Sequence, residues 1–130
     1  MSVKVVYCSR SGNTKLVADA IAEAAGVAAV SVTDEGAAVT EPVDVLFVGG
    51  ALYAHSIDKN LKAYLAAVPE GNVKKAVAFS TASFSKHAID VIKKVLKAKG
   101  IDVADDFLFI KKTASEAQLE EAKAFAKKFI

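Results

Sequence analysis

The chain has 130 residues, 53% of them hydrophobic, with one cysteine and a formal charge of +2, a length and composition that suit one domain with a real core. A lone cysteine excludes an internal disulfide framework and a multi-cysteine metal site. No apolar run reaches the length of a membrane span and no basic region with a signal-type apolar segment opens the chain, so a single cytoplasmic domain over residues 1–130, with no membrane association, is expected. Sixteen of the seventeen basic residues are lysine. They share their helices with acids, which predicts a solvated surface and no nucleic-acid footprint.

Val3 to Tyr7 reads as a buried strand, and a helix beginning at Asn13 or Thr14 places Val17, Ala20, Ile21 and Ala24 on one face. Gly26 closes that helix, and Val27 to Val32 reads as a second strand. The polar segment Thr33 to Pro42 has room for two helical turns at most. Val43 to Val48 is a third strand of the kind covered on both faces, and Gly49 and Gly50 are expected to end it. A helix starting between Ser56 and Asp58 carries Leu61, Tyr64, Leu65 and Val68 at helical spacing until Pro69 stops it. Ala76 to Ser80 is a fourth strand. Lys86 to Lys99 is a helix with Ile89, Ile92, Val95 and Leu96 inward and Gly100 as its stop. The segment Ile101 to Lys111 holds a fifth strand, interrupted by Asp105 and Asp106 and strongest from Phe107 to Ile110. Thr113 with Glu116 reads as a capping box for a last helix whose inner stripe is Leu119, Ala122, Phe125, Ala126 and Phe129. This alternation of strands and helices implies an α/β fold with a parallel sheet wrapped on both sides.

The loop between the first strand and its helix offers the chemistry of an anion site. Ser9, Arg10, Ser11, Gly12, Asn13 and Thr14 bring three hydroxyls, an amide, a guanidinium and backbone N–H groups to the positive end of a helix, where a phosphate is the natural guest. The chain's single arginine falls in this loop, where its planar donor fork suits an oxyanion.

The run Ser9-Arg10-Ser11-Gly12-Asn13-Thr14 resembles the phosphate loop of the flavodoxins, (S/T)-x-(S/T)-G-N/x-T, which holds the 5′-phosphate of flavin mononucleotide (FMN). Two later loops are similar as well. Gly49 to Ser56, including Ala51, Leu52, Tyr53, Ala54 and His55, resembles the loop lining one face and the N5 edge of the flavin ring. Ser80 to His87, including Thr81, Ala82, Ser83 and Phe84, resembles the loop on its pyrimidine side. The resemblance implies a flavodoxin-like three-layer sandwich with a five-stranded parallel sheet of order 2-1-3-4-5. The ligand would then lie beyond the strands' carboxyl ends, beside the switch point between strands 1 and 3. It also implies an FMN-binding electron carrier, expected as a monomer exchanging electrons with a reductase and an acceptor protein, whose chemistry belongs to the cofactor.

The chain departs from the family pattern in three ways. It has no tryptophan, so Tyr53 and Phe84 are the aromatics available to stack on a flavin. No glycine follows Gly50 in the second loop, where flavodoxins commonly use one for a peptide flip that stabilises one-electron-reduced flavin, and a residue with a Cβ resists the positive φ involved. Flavodoxins like this one are often strongly acidic, whereas Arg10, Lys86 and a histidine, His55 or His87, would here stabilise a negative flavin and give a less negative potential. Each histidine is otherwise a plain surface residue.

Other chemistries fit less well. An NAD(P)H:quinone-type reductase on the same fold needs a substrate pocket beside the flavin and often longer loops, and these loops are short. Cys8 before an anion loop suggests phosphotransfer, but the C-x5-R-(S/T) pattern finds Thr14 where its arginine belongs, and Cys8 reads as a small buried residue closing the first strand. A receiver domain needs acids where Tyr7, Cys8, Val48 and Gly49 stand. A nucleoside-triphosphatase loop needs Lys-Ser/Thr after Gly12.

Overall fold

The β-branched run Val43-Asp44-Val45-Leu46-Phe47-Val48 is apolar on both sides of the pleat, which suits a central strand and not an edge. In the computed structural model, which describes residues 2–9, 12–53, 56–82, 87–111 and 114–130, it lies at the centre of the sheet. The strands are Val3–Cys8 (β1), Ala29–Ser31 (β2), Val43–Tyr53 (β3), Ser56–Ile57 (β4), Val73–Ala82 (β5) and Leu108–Lys111 (β6), and the helices are Asn13–Ala25 (α1), Lys59–Ala67 (α2), His87–Ala98 (α3) and Glu116–Lys127 (α4). The parallel order is β2-β1-β3-β5-β6, with β4 turned back antiparallel on β3 through Leu52 opposite Ile57 and Tyr53 opposite Ser56. With that short hairpin strand set aside, the order is the expected 2-1-3-4-5.

Alternation along the strands sorts the core into two layers. Val5, Phe47, Val77 and Phe79 face α1 and α4, meeting Val17, Ile21, Ala122 and Phe125. Val6, Val48 and Ala78 face α2 and α3, meeting Leu61, Leu65, Ile89, Ile92 and Leu96. Phe47 and Phe79 are fully buried, worth about 2 to 3 kcal/mol each by area. Among the described residues no helix is long and apolar enough to cross a membrane.

Several boundaries differ from the sequence expectation for physical reasons. Gly49 and Gly50 do not end the third strand; both are buried and paired within it, opposite Phe79 and Ser80 of β5. A Cβ on Gly49 would lie 2.4 Å from the Phe79 ring, and one on Gly50 2.5 Å from Leu61 Cδ2, so close approach of neighbours sets these glycines, not a turn. The second strand is shorter than Val27 to Val32 because Val27 completes the end of α1. Gly26 takes φ 74°, its N–H donates to the Glu23 carbonyl, and the Val27 N–H donates to the Ala22 carbonyl, a Schellman motif. Gly100, at φ 85°, ends α3 the same way, with the Ile101 N–H donating to the Leu96 carbonyl.

The polar segment after β2 forms a single 3₁₀ turn, Glu35–Ala37, capped by the Asp34 carboxylate on the Gly36 N–H. Asp105 and Asp106 do interrupt the fifth strand: only Val103 bridges to Ala76 before β6 begins at Leu108. The capping box described at the last helix is Ser115 with Gln118, where the sequence expectation is Thr113 with Glu116. The Gln118 N–H donates to Ser115 Oγ and the Ser115 N–H to Gln118 Oε1. Both pairs have the right spacing, but α4 starts at Glu116, which leaves that carboxylate in the first turn, where it complements the helix dipole. Thr113 lies outside the described residues.

Candidate functional site

At the carboxyl edge, β1 delivers the chain through Ser9 to Gly12, the residue before α1. Gly12 takes φ 93° and ψ −7°, a left-handed conformation that disfavours any side chain, and its N–H donates to Ser9 Oγ at 2.9 Å. The turn is thus held by its own first hydroxyl. The Gly12 carbonyl accepts the Leu16 N–H at 3.2 Å and starts the helical ladder.

This helix end differs from two others in the chain. Asp58 caps α2 through the Asn60 N–H at 2.8 Å, and Ser115 caps α4. Gly12 has no side chain with which to cap α1, the first turn carries no acid, and none of the described residues beyond its chain neighbours lies within 4 Å of the place where a Cβ of Gly12 would be. The positive end of α1 lies at the carboxyl edge, beside the crevice between β1 and β3 where the direction of winding reverses.

Thr14, in the first turn, is buried, and its Oγ1 lies 2.7 Å from Oγ1 of Thr81, which is also buried. Thr81 is in register with Ala51 of β3 and Ile110 of β6, so the last turns of β5 are tied to the loop after β1. Ser80, one position earlier and on the opposite face, has a fully buried hydroxyl with no hydrogen-bond partner among the described residues. Lys15 stands in the first turn of α1, and its 2.8 Å hydrogen bond to Asp19, with the attraction of that carboxylate, holds the ammonium above its ordinary range. Both partners are exposed.

Of the residues singled out in the sequence, Ser9, Gly12, Asn13 and Thr14 lie at this edge together with Ala51 and Thr81. Leu52 and Tyr53 end β3 and Ala82 ends β5, placing their backbones at the same edge. Arg10, Ser11, Ala54, His55, Ser83 and Phe84 lie outside the described residues, as does Lys86. His87 is exposed at the start of α3. Cys8 is buried against the α2 and α3 layer, as the sequence reading has it. The link between Thr14 and Thr81, 67 residues apart, and the hairpin strand β4 were not foreseen. Strand parity held the signal for the first: Thr81 is two residues beyond Phe79 and must face α1. A groove of about 350 Å³ lies at the opposite, amino edge, lined by Asp44, Val45, Lys74, Lys75 and Asp102, where parallel sheets do not place their ligands.

Comparison with known proteins agrees with this architecture. The model of the flavodoxin domain family matches residues 4–125. A flavodoxin from the domain Archaea superposes with a TM-score of 0.85 at 24% identity over 99% of this chain and 96% of that one. Oxidised flavodoxin 1 from Bacillus cereus gives 0.83 at 19% identity over 99% and 97%. Rubredoxin oxygen:oxidoreductase from Desulfovibrio gigas gives 0.80 at 18% identity, covering 98% of this chain and 35% of that one, so there the likeness is to one part of a larger protein. At these identities the structural likenesses show the fold. No curated protein sequence matches the chain.

Proposed function

Because the chain belongs to the flavodoxin domain family, we propose that it binds FMN at the carboxyl edge of its sheet and carries electrons between redox partner proteins. The observation that carries this reading is the first turn of α1, preceded by a left-handed glycine, free of acids, uncapped by any Gly12 side chain and clear of the other described residues around Gly12. Those are the requirements of a phosphate site, and the residues around it fit the group. Ser9 shapes the turn, Arg10 and Ser11 belong to the same loop, and the Thr14 hydroxyl stands in the first turn beside it. The segments Ala51 to His55 and Thr81 to Phe84 offer backbone amides to the rim of a flavin ring, with Tyr53 and Phe84 as aromatics for its faces.

When bound, the flavin supplies the electron transfer itself, and the protein's work is to hold, orient and partly shield it. A reductase needs a substrate pocket beside the flavin, and the short loops of this sequence offer little chain to build one, which favours a carrier over a reductase.

Titration of the purified protein with FMN, followed by flavin fluorescence and visible absorption, tests the reading. One FMN per chain, bound more tightly than riboflavin, is expected, with no oxidation of NAD(P)H in the presence of quinones. Absence of binding at millimolar FMN overturns the assignment, and rapid NAD(P)H turnover by the isolated protein replaces the carrier with a reductase.

A further inference from the structure

We propose that Thr81 is a positioning residue for the phosphate end of the ligand, acting through Thr14 and not on the flavin ring; this rests on the FMN reading above. The two hydroxyls are 2.7 Å apart and both side chains are nearly inaccessible to solvent, at 1% and 2% exposure. A hydroxyl pair holds two protons and four lone pairs, and the mutual bond uses one proton. Which proton is left over decides what the pair can do.

If Thr14 donates to Thr81, the spare proton is on β5, away from the loop. If Thr81 donates to Thr14, the spare proton is on Thr14, at the N-terminus of α1, where the helix dipole and the N–H groups favour an anion. A bound phosphate selects the second arrangement, since only that one presents a donor to it. The chain of bonds then runs from the Thr81 hydroxyl to the Thr14 hydroxyl to the phosphate oxygen, each donor polarised by the next.

Position in the fold supports the same reading. Thr14 is the second residue of α1, in the first turn, whose N–H groups have no partner within the helix. Thr81 supplies a partner for its hydroxyl. It is held on a central strand between Ala51 and Ile110, a rigid base for orienting a hydroxyl. The strand parity that puts Thr81 under α1 puts Ser80 on the other face, so Ser80 cannot substitute for it.

The test compares FMN with riboflavin, which lacks the phosphate. Thr81→Val should weaken FMN binding about tenfold and leave riboflavin binding unchanged, while Thr81→Ser, which keeps the hydroxyl, should restore FMN affinity. In a Thr14→Val background the Thr81→Val substitution should have no further effect on FMN. Equal weakening of both ligands, or additive losses in the double variant, overturns the proposal and leaves Thr81 a structural or ring-side residue. If Thr81→Val does not fold, Thr81→Ala is measured against the same two ligands with the same two outcomes. Failure of the native protein to bind FMN at all overturns the assignment of function along with it, whereas native binding that ignores Thr81 overturns this step alone.

Discussion

A methyl group added at Gly49 would sit 2.4 Å from two carbons of the Phe79 ring, and one added at Gly50 would sit 2.5 Å from Leu61 Cδ2. Both distances are far inside van der Waals contact, yet the obstacles differ. Phe79 is fully buried between the sheet and the layer formed by α1 and α4, and a ring has no small adjustment that clears a methyl. The end of Leu61 can change rotamer, although it too is buried. Gly49→Ala is therefore expected to cost about 2 to 3 kcal/mol and Gly50→Ala about 1 kcal/mol, measured by urea unfolding with an unchanged slope. A Phe79→Leu substitution should recover part of the Gly49→Ala loss; equal losses at the two glycines would contradict the packing argument. The same pair shows why its role was not legible in the sequence. Paired glycines after an apolar run mark either a turn or a close approach, and what decides between them here is a phenylalanine thirty residues further on.

Elements were legible where periodicity is strong and misjudged where the deciding contact is local chemistry. The inner stripes of α1, α2 and α3 follow directly from spacing. The start of α4 does not, because Thr113-x-x-Glu116 and Ser115-x-x-Gln118 are equally good boxes on paper, and Ser115 is the cap of the helix. The short crossover after β2 shows the tertiary side of the same point. It is stitched to α2 by Tyr64, whose phenol donates to the Ala37 carbonyl at 2.7 Å, and burial pushes the Tyr64 phenol well above its ordinary range. A raised folded-state value means that the contribution of this group is fully present below the unfolded value of about 10 and is lost as pH rises from there. Tyr64→Phe should cost about 1 kcal/mol at pH 8. The gap between the two proteins should narrow as pH rises beyond about 10, because the phenol that ionises in the unfolded chain is present in the Tyr64 protein and absent from the Phe variant. Lysine titration affects both proteins alike and cancels in the difference. A gap that stays constant between pH 8 and pH 11 would show that Tyr64 does not contribute in this way.

At the scale of the whole molecule, alternation of strands and helices was enough to imply a wrapped parallel sheet, while the strand order came from likeness to a family and not from any period in the sequence. The candidate site was legible as a loop composition, since hydroxyls and glycine ahead of a helix N-terminus suit an anion. Its closing contact, Thr14 to Thr81, needed the fold. Charge belongs to this scale too. The segments 9–15, 54–60 and 83–87 carry Arg10, Lys15, Lys59 and Lys86 against one carboxylate, Asp58, which is buried and caps α2. Lys15 is paired with Asp19, so its effect on a bound flavin is offset. A unit charge roughly 8 Å from a reduced, anionic flavin at an effective dielectric of about 40 contributes about 1 kcal/mol, on the order of 40 mV for a one-electron couple by that same Coulomb arithmetic. In the FMN-loaded protein, Arg10→Gln and Lys86→Gln should each make the lower-potential couple more negative by tens of millivolts by that Coulomb estimate. Lys127→Gln, at the far end of α4, should leave it unchanged. Raising the salt concentration should shrink the first two shifts, because exposed charges are screened within about 10 Å at 0.1 M. Spectroelectrochemical titration reads all three; a shift to less negative potential in either loop variant, or an equal shift at Lys127, would mean that the cations of these loops do not set the potential.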